Sequence, residues 1–388
     1  MIDRDLLKRN IEKRLERDLA LCNVGAVSLI VKEKGETVYE NNFGDFKNSE
    51  GKVVESNAVF RLASMTKPVT AVAVMIMVDR GLIDLDKEVS FYIPEYKNLT
   101  VGNYSEDGTE ILSTTPVIKE PIVRQLLSHT SGIGSDGAAL YYSPARVPKE
   151  AIDTLKGAVE YYAKLPLAFE PGTKQSYSPN AAFDVAAYIV EKVSGMDYAE
   201  FLKQEILIPC GMADTTFAPT KEQWERTVYM HDKRIMENGA ENAASATTEG
   251  CVFEYYPVTH YASGAGLAST LSDYSKFAEM LLNYGTAESG ARILSEESVR
   301  EMTSLQIHDE KVQSGDERWA LGGRVIVSDN YKRLPKGTYG WSGAYGTHFW
   351  VDYKNKITAV YMKNSRYDGG AGAVTANNFE IDVTSSIK

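Results

Sequence analysis

Residues 69–78, ten positions without a charge, interrupt a text in which apolar and charged residues otherwise alternate closely. Such a run is about half of what crosses a bilayer, roughly twenty residues, and it suits a helix buried on every side. Asp79 and Gly81 close it. Pro68 belongs in a first turn, where its missing N–H is not needed. Ser64 stands where a serine side chain caps a helix. Ser64 and Lys67 are three residues apart and so share one face at the mouth of a core helix.

The remaining pattern places strands near both ends and helices between. Residues 2–21 repeat Leu6, Leu7, Ile11, Leu15 and Leu19 among charges, an amphipathic helix. Strands are expected over 24–31 and 36–42, joined by a Lys34-Gly35 turn. From Leu82 to about Tyr256, loops rich in Pro, Gly, Asn and Asp alternate with helices at 121–128, 149–164, 180–193 and 198–207. Gly195 sits where a left-handed cap would end the third of these. Helices follow at 272–284 and 295–303, then strands at 319–328, 338–341, 347–352 and 356–363, and a closing helix over 374–387. Short loops between those strands favour antiparallel neighbours. The expected fold class is α/β of the α+β type. An antiparallel sheet flanked by helices is built from 1–84 and 257–388, and an inserted, mostly helical domain from 85–256. The site lies in the cleft between them.

The chain has 388 residues, enough for a sizeable core. A net charge of −11 argues against nucleic-acid and anionic-membrane partners, since phosphate is repelled. Cys22, Cys210 and Cys251 fit neither a metal spacing nor a disulfide framework, which points to a reducing compartment. The charged first twenty-odd residues lack the apolar core of a signal peptide, so a cytoplasmic location is expected.

The pattern Ser-x-x-Lys occurs at Ser64, Ser49 and Ser385, and only the first opens an apolar helix. Read structurally, it is a capping serine beside a solvated lysine. Read chemically, it is a nucleophile beside an amine, which serves as base once burial lowers its basicity. Tyr177, after the Glu170-Pro171-Gly172 turn and before a helix, can pass a proton or hold an oxyanion, or be an ordinary half-buried aromatic; Asn180 can cap that helix. Gly340-Trp341-Ser342-Gly343-Ala344 leads into a strand, and its glycines permit close approach to a ligand. Ser342 nearly fits a G-x-S-x-G nucleophile elbow, but Ala344 replaces the last glycine and no helix follows, so Ser342 is set aside as a nucleophile. His129, in a turn-like cluster, reads as structural, and His348 as a core residue. No metal-binding or dinucleotide motif occurs.

Taken in order, these stretches resemble the serine β-lactamase and penicillin-binding-protein superfamily, and within it the class C β-lactamase-like branch that includes family VIII carboxylesterases. Gln125 to Gly132, Arg80 to Asp86 and Gly264-Ala265-Gly266-Leu267 extend the likeness through most of the chain. The resemblance implies Ser64 as acylated nucleophile, Lys67 as base and Tyr177 as proton relay. The oxyanion hole would be the backbone N–H groups of Ser64 and Ala344. Trp341, Ser342, Gly343 and Asn180 would meet the substrate. No metal or organic cofactor is implied. The chain departs from the family pattern twice. Pro179 stands where Tyr-x-Asn has its Asn, with Asn180 one place later, and Trp341 stands where many members carry Lys or His. An indole cannot hold a carboxylate but packs on an acyl chain or alcohol, which shifts the expectation toward a small neutral ester. The alternatives are a β-lactamase, D-amino-acid peptidase or acyltransferase on the same site, or a non-catalytic binding protein of this fold.

Overall fold

The computed structural model describes residues 1–21, 24–54, 57–143, 146–231, 233–235, 241–243, 258, 260–365 and 367–388. Cys22, Cys251 and the expected boundary at 256/257 fall outside them. A seven-stranded antiparallel sheet carries the architecture. Its order is Glu36–Gly44, Ala26–Glu33, Ile357–Lys363, His348–Asp352, Tyr339–Ser342, Arg324–Ile326 and Glu317–Trp319. The two ends of the chain meet where Ala26–Glu33 pairs with Ile357–Lys363.

Each face is covered by helices. Helix Arg4–Ala20 buries Leu7, Ile11 and Leu15 on one face, beside Phe379 and Val383 of helix Val374–Thr384. Asp3 caps the first by accepting from Leu6 N–H at 3.1 Å, and Arg14 pairs with Asp382 at 2.6 Å. Against the other face lie helices Thr66–Asp79 and Leu271–Leu282. Every residue from Thr66 to Met77 is buried, as the uncharged run requires. Helix Ala181–Ser194 packs on it and ends at Gly195 in the left-handed conformation, φ +70°. Among the described residues no helix is long and apolar enough to cross a membrane.

Three expectations change. The helix foreseen over 149–164 is two, Lys149–Ile152 and Leu155–Tyr162, because Thr154 accepts from Gly157 N–H at 3.0 Å and starts the second. The strand foreseen over 319–328 is a hairpin, Glu317–Trp319 with Arg324–Ile326. Gly322 makes its turn at φ +72°, pressed so close that a Cβ there would lie 2.7 Å from the Lys67 carbonyl. The region 85–256 also holds a hairpin, Thr100–Tyr104 with Ile111–Pro116; its signal was Asp107-Gly108 between β-branched runs.

Candidate active site

Strand Val59–Arg61 delivers the chain to a tight turn, Ala63–Met65, from which helix Thr66–Asp79 continues. Ala63 is held at φ +46°, a conformation that costs an L-residue about 1 kcal/mol or more. Ser64 does not cap the helix as expected, since no side chain performs that task there. Its hydroxyl is turned to Lys67 and Tyr177 instead. The turn is braced by other groups: Tyr274 donates to the Met65 carbonyl at 2.7 Å, and Thr66 Oγ1 accepts from Leu267 N–H at 3.1 Å. Pro68 falls in the first turn, where helical N–H groups have no partner in any case.

Lys67 has no solvent exposure. Its Nζ lies 3.2 Å from Ser64 Oγ, 2.6 Å from the Pro179 carbonyl and 2.8 Å from the Gly264 carbonyl. The two carbonyls can only accept. A neutral amine therefore spends its two N–H groups on them, and its lone pair faces the serine hydroxyl. Burial lowers the basicity of Lys67, opposed by the Tyr177 phenol and by the Asp184 charge. The rings of Tyr177 and Phe183 stand 4.9 and 5.0 Å from the amine.

Tyr177 donates to Ser64 Oγ at 2.6 Å. Its ring rests in an aromatic group formed by His129 (4.6 Å between centroids), Trp319 (6.0 Å, stacked) and Trp341 (5.9 Å). His129 accepts from Ser178 N–H at Nδ1, 3.0 Å, and burial, with the Lys67 charge adding, holds it well below the ordinary imidazole range. It is a neutral wall that fixes both the ring of Tyr177 and the backbone that follows.

The strand Tyr339–Ser342 closes the other side. Gly343 lies so near the Leu62 carbonyl that a Cβ would meet it at 2.1 Å, and Thr347 Oγ1 donates to the same carbonyl at 2.8 Å. This seats Ala344 next to the serine turn. Among the described residues, the N–H groups of Ser64 and Ala344 have no acceptor. Trp341 is buried with its Nε1 unpartnered.

Two expected substrate residues are otherwise engaged. Ser342 points to the opposite face, where its Oγ lies 2.8 Å from His348 Nδ1, because successive residues of a strand face opposite ways. His348 is buried, as foreseen. Asn180 neither caps its helix nor reaches Lys67. Its Oδ1 accepts from Gly264 N–H at 2.8 Å and its Nδ2 donates to Asp184 at 2.5 Å. The Pro179 carbonyl, one residue before it, is the group that reaches Lys67. Ser178 supplies a helix-starting bond, from Ala182 N–H at 3.2 Å. Sequence reasoning missed Trp319, Asp184 and His260. The one signal was Asp184, a carboxylate inside the otherwise apolar stretch 181–190. Among the described residues no group of three or more His, Cys, Asp or Glu could hold a metal ion.

An antiparallel sheet bearing a buried Ser-x-x-Lys helix on one face, with a tyrosine closing on the serine, defines a serine hydrolase of the β-lactamase and penicillin-binding-protein class. Residues 9–380 match the model of the Beta-lactamase family, and the chain belongs to that family. It is 30% identical over 365 residues to Protein Rv1367c of Mycobacterium tuberculosis, covering 88% of this chain and 87% of that one. It is 28% identical over 375 residues to Esterase EstB of Burkholderia gladioli, covering 91% and 88%. The crystal structure of a family VIII carboxylesterase superposes with a TM-score of 0.74 at 20% identity, covering 99% and 97% of the two chains.

Proposed function

We propose that the protein hydrolyses small neutral carboxylic esters through an acyl-enzyme on Ser64. The observation that carries this is the serine hydroxyl set between an acceptor-tethered amine at 3.2 Å and a phenol at 2.6 Å. Ser64 Oγ attacks the ester carbon while its proton passes to the Lys67 lone pair. The oxyanion that forms is met by the free N–H groups of Ser64 and Ala344. As the carbon–alkoxide bond breaks, Tyr177 gives the alkoxide its proton and takes one from the Lys67 ammonium. Water then repeats the sequence on the acyl-enzyme, which releases the acid and restores the serine. Trp341, in place of a cation, gives the acyl or alcohol group an apolar wall and offers a carboxylate no countercharge. The relationship to Esterase EstB supports the same reading.

The test is turnover of short p-nitrophenyl esters by the wild type, Ser64→Ala and Lys67→Ala, with nitrocefin alongside. The expected result is ester turnover lost in both variants and a wild-type efficiency on esters above that on nitrocefin. Turnover retained in Ser64→Ala removes the mechanism, and a higher efficiency on nitrocefin makes the protein a β-lactamase.

A further inference from the structure

Behind Lys67, a second group of residues holds the two carbonyls that aim it. Asp184, with no solvent exposure, accepts from three donors: Ser263 N–H at 2.8 Å, Asn180 Nδ2 at 2.5 Å and His260 Nε2 at 3.0 Å. Asn180 in turn binds Gly264 N–H at 2.8 Å. One carboxylate thus grips both backbone segments at the residues next to the carbonyls of Pro179 and Gly264. Gly264 fits against the other segment so closely that a Cβ would lie 2.7 Å from the Pro179 carbonyl. Thr70, on the same helix as Lys67, adds a bond to the Ser263 carbonyl at 2.6 Å.

We propose that Asp184 and His260 are the positioning pair of Lys67: the carboxylate fixes the two carbonyls that orient the amine, and the imidazolium is the stationary countercharge that lets the amine be neutral beside it. The inference rests on Lys67 being the base for Ser64. Asp184, fully buried, lies 3.0 Å from His260 Nε2 and acts electrostatically on Lys67. While Lys67 carries its proton, its charge offsets the carboxylate. When Lys67 is neutral, the offset falls to His260, whose side chain is 17% exposed and can exchange protons with solvent. Against the pull of burial, the charge and hydrogen bond of Asp184 hold His260 above the ordinary imidazole range.

Among the described residues, the other titratable groups facing this pair do not compete. Tyr96, Tyr162 and Tyr198 stay neutral, pushed above the ordinary phenol range by burial first, with Asp184 adding. Tyr261, beside His260, is pushed up by burial, then by Asp197 and Glu191. The Tyr177 phenol faces Lys67 from the opposite side.

The test is the pH dependence of two rates in wild type, His260→Gln and Asp184→Asn: kcat/KM on p-nitrophenyl acetate, and labelling of Ser64 by a fluorophosphonate. Both rise with pH as Lys67 loses its proton. His260→Gln keeps a donor to Asp184 and loses the charge, so the rising limb moves up, by about one pH unit. Asp184→Asn removes the anion that favours the ammonium together with the support that keeps His260 charged; the two act in opposite directions, so its limb moves by less than that of His260→Gln. A His260→Gln limb that stays in place or moves down overturns the proposal, since loss of packing alone lowers the rates without moving the limb. If Asp184→Asn does not fold, His260→Gln decides alone, because its side chain reaches solvent. A wild-type Ser64 that does not label at any pH overturns the hydrolase reading and this one with it. Labelling with an unmoved limb overturns only this one.

Discussion

Trp341 and Ser342 are neighbours on one strand, and they belong to two different serine centres. On the face of Trp341, Ser64 meets a lysine and a tyrosine. On the other face Ser342 meets His348 Nδ1 at 2.8 Å, and His348 Nε2 meets Glu380 at 3.0 Å. The second array has the order of a hydrolase triad, hydroxyl to imidazole to carboxylate. It nevertheless lacks what a nucleophile needs. Ser342, His348 and Glu380 are 5%, 1% and 0% exposed, covered by helix Val374–Thr384. Burial holds His348 below the ordinary imidazole range even with Glu380 opposing. Glu380 is tied further by Arg324 and by Arg333, at 2.7 Å for the latter. The chemically richer-looking serine joins a helix to the sheet. The working candidate is half-buried, sits between a strained turn and a core helix, and lies beside two N–H groups without an acceptor.

The sharpest way to break this contrast is Ser64→Ala. It is expected to lower ester kcat/KM by about 10⁴-fold or more and to abolish fluorophosphonate labelling. Labelling that survives and maps to Ser342 would reverse the assignment of the two faces. Next in size is Lys67→Met, with an expected loss of about 10³-fold. The wild type should gain activity with rising pH, and the rise should come below the ordinary lysine range because burial favours the neutral amine. The same shift has a stability consequence. Between the lowered folded value and the ordinary one, the unfolded chain binds more protons at Lys67, so stability rises with pH there and the lysine works against the fold at neutral pH. A pH profile that persists in Lys67→Met assigns the rise to another group.

Ser64 and Lys67 were legible because both facts that make them a pair are local: three residues of spacing, and an uncharged run that can only be a buried helix. Tyr177 became legible through its place before a helix and the order of motifs along the chain. Ser342 was misplaced because alternation says that neighbours face opposite ways but not which way faces the site. The direction of the Asn180 side chain was not legible because its partners, Gly264 N–H and Asp184, meet it only in the folded chain. The Asp184–His260 pair is separated by 76 residues and forms only in the folded chain. In the fold itself, the central sheet strands Ala26–Glu33, His348–Asp352 and Ile357–Lys363 were visible as largely apolar runs. The break at Gly322 had a local signal, the pair Gly322-Gly323, and the helix pressed against it makes the turn tight.

Glu380→Gln tests the structural face. Although burial pushes it up, hydrogen bonding to His348 and the charge of Arg324 hold the Glu380 carboxyl at about 2. This stability is present above the ordinary carboxyl range and is lost as pH falls toward 2. The substitution should cost about 3 kcal/mol by denaturant unfolding at pH 7, and the cost should shrink as the pH drops. Ester turnover per folded molecule should stay unchanged. A loss of kcat with unchanged stability would make the array catalytic.

Trp341→Lys probes the shared strand from the active face. A cation there would sit among Tyr177 and Trp319, the latter 4.6 Å away between centroids. Turnover of neutral short-chain esters should fall by about tenfold, and the ratio of carboxylate-bearing to neutral substrate should rise by a similar factor, since a buried ammonium repels no anion and packs poorly on an alkyl group. A proportional loss on both substrates would reduce Trp341 to packing.

The smallest expected effect is the most discriminating. Ser342→Ala removes one hydroxyl from the imidazole of His348, which keeps its bond to Glu380. A buried acceptor left without its donor costs about 1 kcal/mol. The melting transition should therefore fall slightly while kcat/KM stays within about twofold of wild type. The serine that most resembles a triad member would then be the one the enzyme can do without. A tenfold loss of kcat at unchanged stability would mean that the sheet couples its two faces, and that the Ala344 N–H depends on the Ser342 hydroxyl for its aim.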